Sequence, residues 1–105
     1  MDKATLLEME MNDGTSVQLT LTYGRLYRLR QKAKDVYETY NKIAMDGMED
    51  ELQCIDYLYA AYLCANIDDL ENCMSIEEFM GKMPLNHMQV FIMVNKLKLG
   101  EFKKK

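Results

Sequence analysis

Proline and glycine are scarce in this chain. One Pro and five Gly in 105 residues are roughly half the usual share. An all-β sandwich turns every few residues and draws on both types, so the shortage argues against one and for long helices. Tryptophan is absent, and histidine occurs once, as His87, which removes most acid–base schemes built on imidazole. No apolar run nears the roughly 20 residues that span a bilayer. The opening Met1-Asp2-Lys3-Ala4-Thr5 has no apolar signal core, so the expectation is a cytoplasmic protein with no membrane contact. The three cysteines, Cys54, Cys64 and Cys73, form no C-x-x-C pair. In that compartment they read as free thiols, not as disulfides or zinc ligands. Gly-rich phosphate loops, the G-x-S-x-G elbow and H-E-x-x-H are missing too. The expectations are therefore no enzyme activity, no cofactor, no metal and no small-molecule substrate.

What is present is a foldable composition, 49% apolar and 29% charged, with room for one domain over residues 1–105. It holds ten Met and seven Tyr. Charge is laid out in blocks. Residues 23–42 carry six bases against two acids, residues 43–81 ten acids and no base, and residues 82–105 six lysines against one acid. Nucleic-acid binding usually needs a net basic surface, and here the basic blocks have an acidic block of the same chain to pair with. Neutralisation within the chain, or head-to-tail between copies, is the expected use.

Residues 5–22 read as a β-hairpin. Leu7, Met9 and Met11 alternate with acids, Val17, Leu19 and Leu21 alternate with polar residues, and Asn12-Asp13-Gly14 lies between. A period of two places each apolar set on one face, and Asp-Gly tolerates the turn's positive φ. Residues 23–45 read as one long helix, N-capped by Thr22 and ended at Gly47, with Leu26, Leu29, Ala33, Tyr37, Tyr40 and Ala44 on one stripe. Residues 49–66 read as a second helix with Leu52, Ile55, Tyr59, Tyr62 and Leu63 as its main stripe. Its other side is also apolar, so it must be covered on both sides, as a central helix or within a subunit interface. Ser75 and Glu78 form a capping box opening a short helix over 75–83, which Pro84 stops. Asn86, with Gln89 three residues on, opens a last helix over 87–98. There Met88, Phe91 and Ile92 fall on one face, and Val90, Met93, Val94 and Leu97 on another. Residues 100–105 read as a frayed tail. The predicted fold is mainly α with a small β part (α+β), an N-terminal hairpin followed by a bundle of about four helices.

The Met, Tyr and two-faced helices exceed what a core of this size must bury. Met repacks against varied partners, and Tyr gives large contact area at low entropic cost. The expected partner-binding residues are those off the predicted seams: Tyr27, Tyr57, Val90, Met93 and Val94.

The stretch Leu21-Thr22-Tyr23-Gly24-Arg25-Leu26-Tyr27-Arg28-Leu29-Arg30-Gln31-Lys32, continuing through Tyr37 and Tyr40-Asn41-Lys42-Ile43, resembles the small tail assembly chaperones of long-tailed (siphovirus-type) phages and prophages of Gram-positive bacteria. So do Tyr57-Leu58-Tyr59-Ala60-Ala61-Tyr62-Leu63-Cys64-Ala65-Asn66, the Met74–Phe79 helix start, the Met83-Pro84 break and the lysine-rich end. The resemblance runs from about Val17 onward and rests on packing patterns, not on a catalytic signature. It implies a non-enzymatic, self-associating, mostly helical protein of the host cytoplasm. Such a protein binds the long helical tape measure protein, keeps it soluble during tail assembly and is absent from the mature virion. It also implies, for many such phages, a longer frameshifted product, for which codons of Lys103-Lys104-Lys105 could supply the slippery run. Two other readings share the residues: a structural head–tail component, and a small helical nucleic-acid-binding regulator using Arg25, Arg28, Lys32 and Lys42.

Overall fold

The computed structural model describes residues 6–99. Residue 5 of the expected hairpin and the expected tail at 100–105 lie outside the described residues. The fold is α+β: two antiparallel strands, β1 (Leu7–Glu10) and β2 (Ser16–Leu19), followed by five helices. These are α1 (Tyr23–Lys32), α2 (Lys34–Asp46), α3 (Glu51–Ala65), α4 (Ile76–Lys82) and α5 (His87–Leu99), with a 3-10 turn at Leu70–Asn72 before α4.

The hairpin pairs Leu7 with Leu19 and Met9 with Val17. Met9, Met11, Val17 and Leu19 are all buried, which is the face that alternation predicts. Its tip is an Asx turn: the Asp13 carboxylate accepts from the Thr15 N–H at 3.0 Å and the Thr15 hydroxyl at 2.6 Å. Gly14 supplies the positive φ of 89°. Those two bonds, with Lys82 at 3.3 Å adding charge, hold the Asp13 carboxyl down at about 2. The tip is also tied to the far end of the chain. The Asn12 N–H donates to the Lys82 carbonyl at 2.8 Å, and the Asn12 side-chain amide donates to the Gly81 carbonyl at 3.3 Å. These carbonyls belong to the last turn of α4, where a helix runs out of its own donors.

α3 is the centre of the molecule. It packs against β2 and against every other helix, and Cys54 and all residues from Tyr57 to Cys64 are buried. That settles the two-sided apolar pattern of 49–66 in favour of a central helix. The Asp50 side chain caps its start by accepting from the Gln53 N–H at 3.0 Å. Basic side chains of α1 close its other end. Arg25 donates to the Cys64 carbonyl at 2.7 Å, Lys32 to the Ile67 carbonyl at 3.5 Å, and Arg28 pairs with Asp68. Cations there meet the negative end of the helix dipole, and Arg28 holds the Asp68 carboxyl below its usual range. The +4 and −10 blocks of the sequence thus neutralise each other in part within one chain.

Aromatic rings fill the space on both sides of α3. Tyr40 lies 5.3 Å from Tyr57, and Phe79 of α4 lies 5.3 Å and 5.2 Å from Tyr59 and Tyr62. The tyrosine tips are satisfied. The Tyr59 hydroxyl donates to the Met74 carbonyl at 2.7 Å and the Tyr62 hydroxyl accepts from the Met74 N–H at 2.9 Å. These two bonds fix the loop that delivers Ser75, whose capping box with Glu78 is complete.

The predicted helix over 23–45 is two helices. Ala33, at φ −142° and ψ 70°, is at once the C-terminal cap of α1 and the N-terminal cap of α2. Neither Gly nor Pro marks the break, and Ala is the best helix former, so tertiary demand overrides propensity here. The break lets α1 present Arg25, Arg28 and Lys32 to the end of α3 while α2 turns Val36, Tyr40 and Ile43 inward. One consequence is that Ala44, expected on the stripe, is exposed, whereas Ile43 is buried. Thr22, Gly47 and Asn86 hold the capping positions expected of them.

Candidate functional site: an apolar groove between α3 and α5

α5 carries apolar residues on two faces, and among the described residues only one of them is covered. At 100° per residue, Val90, Met93, Val94 and Leu97 fall within an arc of about 100°. Val90, Val94 and Leu97 are buried, and Met93 is half-buried against the core. Met88, Phe91, Ile92, Asn95 and Leu99 occupy the opposite arc, all exposed. Met88 keeps 68% and Phe91 63% of their surface in solvent.

This outer face borders an open groove of about 740 Å³ between α5 and the start of α3. Met48, Cys54, Met88, Phe91 and Val94 form its apolar wall. Glu49, Asp50 and Glu51 line it beside the N-terminal turn of α5, and Lys98 lines it beside the C-terminal turn. His87 and Glu51, 2.5 Å apart, join the first turns of the two helices. A smaller hollow of about 370 Å³ shares Asp50 and Glu51 and continues toward Leu52 and Leu85, which are themselves exposed at 61% and 89%. Together these residues give a contiguous apolar strip with an acidic rim. Large exposed strips of this kind mark binding surfaces.

The groove offers contact area and charge, not a nucleophile. Burial, with Glu51 and Asp50 nearby, raises the Cys54 thiol above its ordinary pKa, so it stays protonated at neutral pH. Cys54 packs instead against the Met48 sulfur at 3.3 Å. Burial pushes Cys64 further, to about 12. Among the described residues no group of three or more His, Cys, Asp or Glu side chains is placed to hold a metal ion, and no helix is long and apolar enough to cross a membrane.

The five residues singled out from sequence separate. Tyr57, Val90 and Val94 are core residues, at 5%, 2% and 3% exposure. Of these Val94 lines the groove and Val90 the smaller hollow beside it. Met93 is half-buried. Tyr27 alone is on the surface, with the Arg30 guanidinium 5.5 Å from its ring centre, and it lines no part of the groove. The apolar residues that do face solvent here are Leu52, Leu85, Met88, Phe91 and Ile92. Leu52 was expected on the main seam of its helix and is outside it. A signal for α5 was present in the sequence. Asn95 lies beside Met88 on the exposed side, with Lys96 and Lys98 at its two borders, whereas the arc of Val90, Met93, Val94 and Leu97 has no polar member. The polar residues mark the wet face.

Of the residues offered for phosphate binding, Arg25, Arg28 and Lys32 are engaged at the end of α3, and only Lys42 remains on the exposed side of α2. No family model, no curated protein and no solved structure matches the chain.

Proposed function

We propose that this is a non-enzymatic binding protein that holds a long helical client along the groove between α3 and α5. On the sequence resemblance, it is a phage tail assembly chaperone whose client is the tape measure protein, acting in the host cytoplasm and left out of the mature virion. The observation that supports the reading best is the uncovered apolar face of α5, Met88, Phe91 and Ile92, beside a groove lined by Met48 and Cys54. An amphipathic helix docks into such a groove through residues spaced three and four apart. Methionine walls adapt to a client that offers many different stretches in place of one fixed motif.

The test is co-expression with the tape measure protein of the same genome. The client is expected to be soluble and to co-purify with this chain, and to fall into the pellet when Phe91→Ser is used instead. Equal insolubility of the client with and without the chain would overturn the reading. Mass spectrometry of purified particles separates a chaperone from a structural tail or head–tail part, since only the latter is found there.

A further inference from the structure

The outer face of α5 carries a second regularity. Leu85, Met88, Ile92, Asn95 and Leu99 follow at intervals of three, four, three and four, and all five are exposed. Leu85 stands just before the N-cap Asn86, and the other four lie on the helix within an arc of about 60°. That spacing matches the a/d repeat of a two-helix seam, and a polar residue at one seam position, here Asn95, sets register.

Charge selects the partner and its direction. The N-terminal end of α5 lies in an acidic setting, with Glu49, Asp50 and Glu51 lining the same groove. The C-terminal end carries Lys96 and Lys98, and Lys98 stands on the groove side of the helix. A helix laid antiparallel on this face, with its own lysines at its C-terminal end, places them over the acids. A parallel one places lysine on lysine. α5 itself meets both requirements.

We propose that the occupant of this face is a second copy of the chain. The two α5 helices pair antiparallel about a two-fold axis at Ile92. Leu85 then faces Leu99 of the second copy, Met88 faces Asn95, and Lys98 of each chain approaches Glu49 and its acidic neighbours on the other. The interface is isologous, so it closes as a dimer and does not propagate. The inference concerns the chain alone and does not rest on the client reading. A client on the same groove competes with the second copy.

Sedimentation velocity on the full chain tests it without any client. The expected result is a monomer–dimer equilibrium. Ile92→Lys, which sets two charges on the axis, weakens it by about a hundredfold, and Lys98→Glu by about tenfold. Adding Glu49→Lys to Lys98→Glu restores it. Both Glu49 and Lys98 are exposed, so far-UV circular dichroism of these variants should match the parent. Direction is read by oxidative cross-linking in a Cys73→Ser background. Ile92→Cys should cross-link to itself and Met88→Cys should not, whereas a mixture of Met88→Cys and Asn95→Cys should. A chain that stays monomeric at concentrations on the order of 1 mM, about 4 kcal/mol of association, overturns the proposal. So does Met88→Cys cross-linking to itself as readily as Ile92→Cys, or a charge swap that fails to restore pairing.

Discussion

α3 and α5 both carry apolar residues on two faces, yet among the described residues α3 is enclosed from Tyr57 to Cys64 and α5 is covered on one face. Around α3 stand the hairpin, α1, α2, α4 and α5, and every residue from Tyr57 to Cys64 is buried. Around α5 only the Val90–Val94–Leu97 side is covered. The difference lies in position: α3 has neighbours on every side, and α5 packs chiefly on α3. A helix in the middle spends its second apolar face on the fold itself. A helix at the edge keeps that face for something else. Damage to α3 should therefore show as lost stability, and damage to the outer face of α5 as lost association with stability intact.

Four measurements would break or sharpen that contrast. Leu58, fully buried on α3, is expected to cost most: Leu58→Ala should lower unfolding free energy by about 2–5 kcal/mol in urea, a large part of what a domain of this size has. A loss under about 1 kcal/mol would mean that α3 is less enclosed than described. Next comes Tyr62→Phe, which leaves the Met74 N–H without its acceptor and should cost about 1–2 kcal/mol, with faster hydrogen exchange in the 70–75 loop as its signature. Third is Asp56 on α3. Burial, with Asp50 adding repulsion, raises its carboxyl above the ordinary value. A raised folded-state pKa means that stability is complete below the unfolded value near ~4 and is lost as pH rises through the folded one. Asp56→Asn should thus raise Tm by about 1–3 °C at pH 7, with no gain near pH ~3. An equal gain at both would exclude the charge as cause. The smallest effect on stability belongs to Phe91→Ser, expected within about 0.5 kcal/mol of the parent. A loss as large as that of Leu58→Ala would place Phe91 in the core and end the contrast.

Much of the fold was legible because its signals are local. The alternation of Leu7–Met11 and Val17–Leu21, the Asp-Gly tip, and the caps at Thr22, Ser75 and Asn86 each act within a few residues, and each is where the sequence puts it. The break at Ala33 was not legible, because its cause is the end of α3, more than 30 residues away, and no residue at the break announces it. The site was half legible. That α5 has two apolar faces follows from its 3.6-residue period, but which one faces inward depends on where α3 lies. Asn95, beside Met88, marks the outer face, and Val90 and Val94 lie opposite it. Tyr57 was misplaced for a related reason. Its distance from the main stripe of α3 points to exposure, but Tyr40 of α2 covers it.

The bonds from Asn12 to the Gly81 and Lys82 carbonyls also set an order of events on the ribosome. The hairpin is made before its platform, α3, and its latch, the end of α4, which emerge some 50 and 70 residues after Asn12. At roughly 5–20 residues per second the strands wait several seconds with an apolar face and two open edges before anything covers them. The hairpin thus settles well after it is made. Limited proteolysis of stalled nascent chains should find the hairpin cleavable until residue 82 has cleared the exit tunnel, and early protection would show that the hairpin folds without its latch.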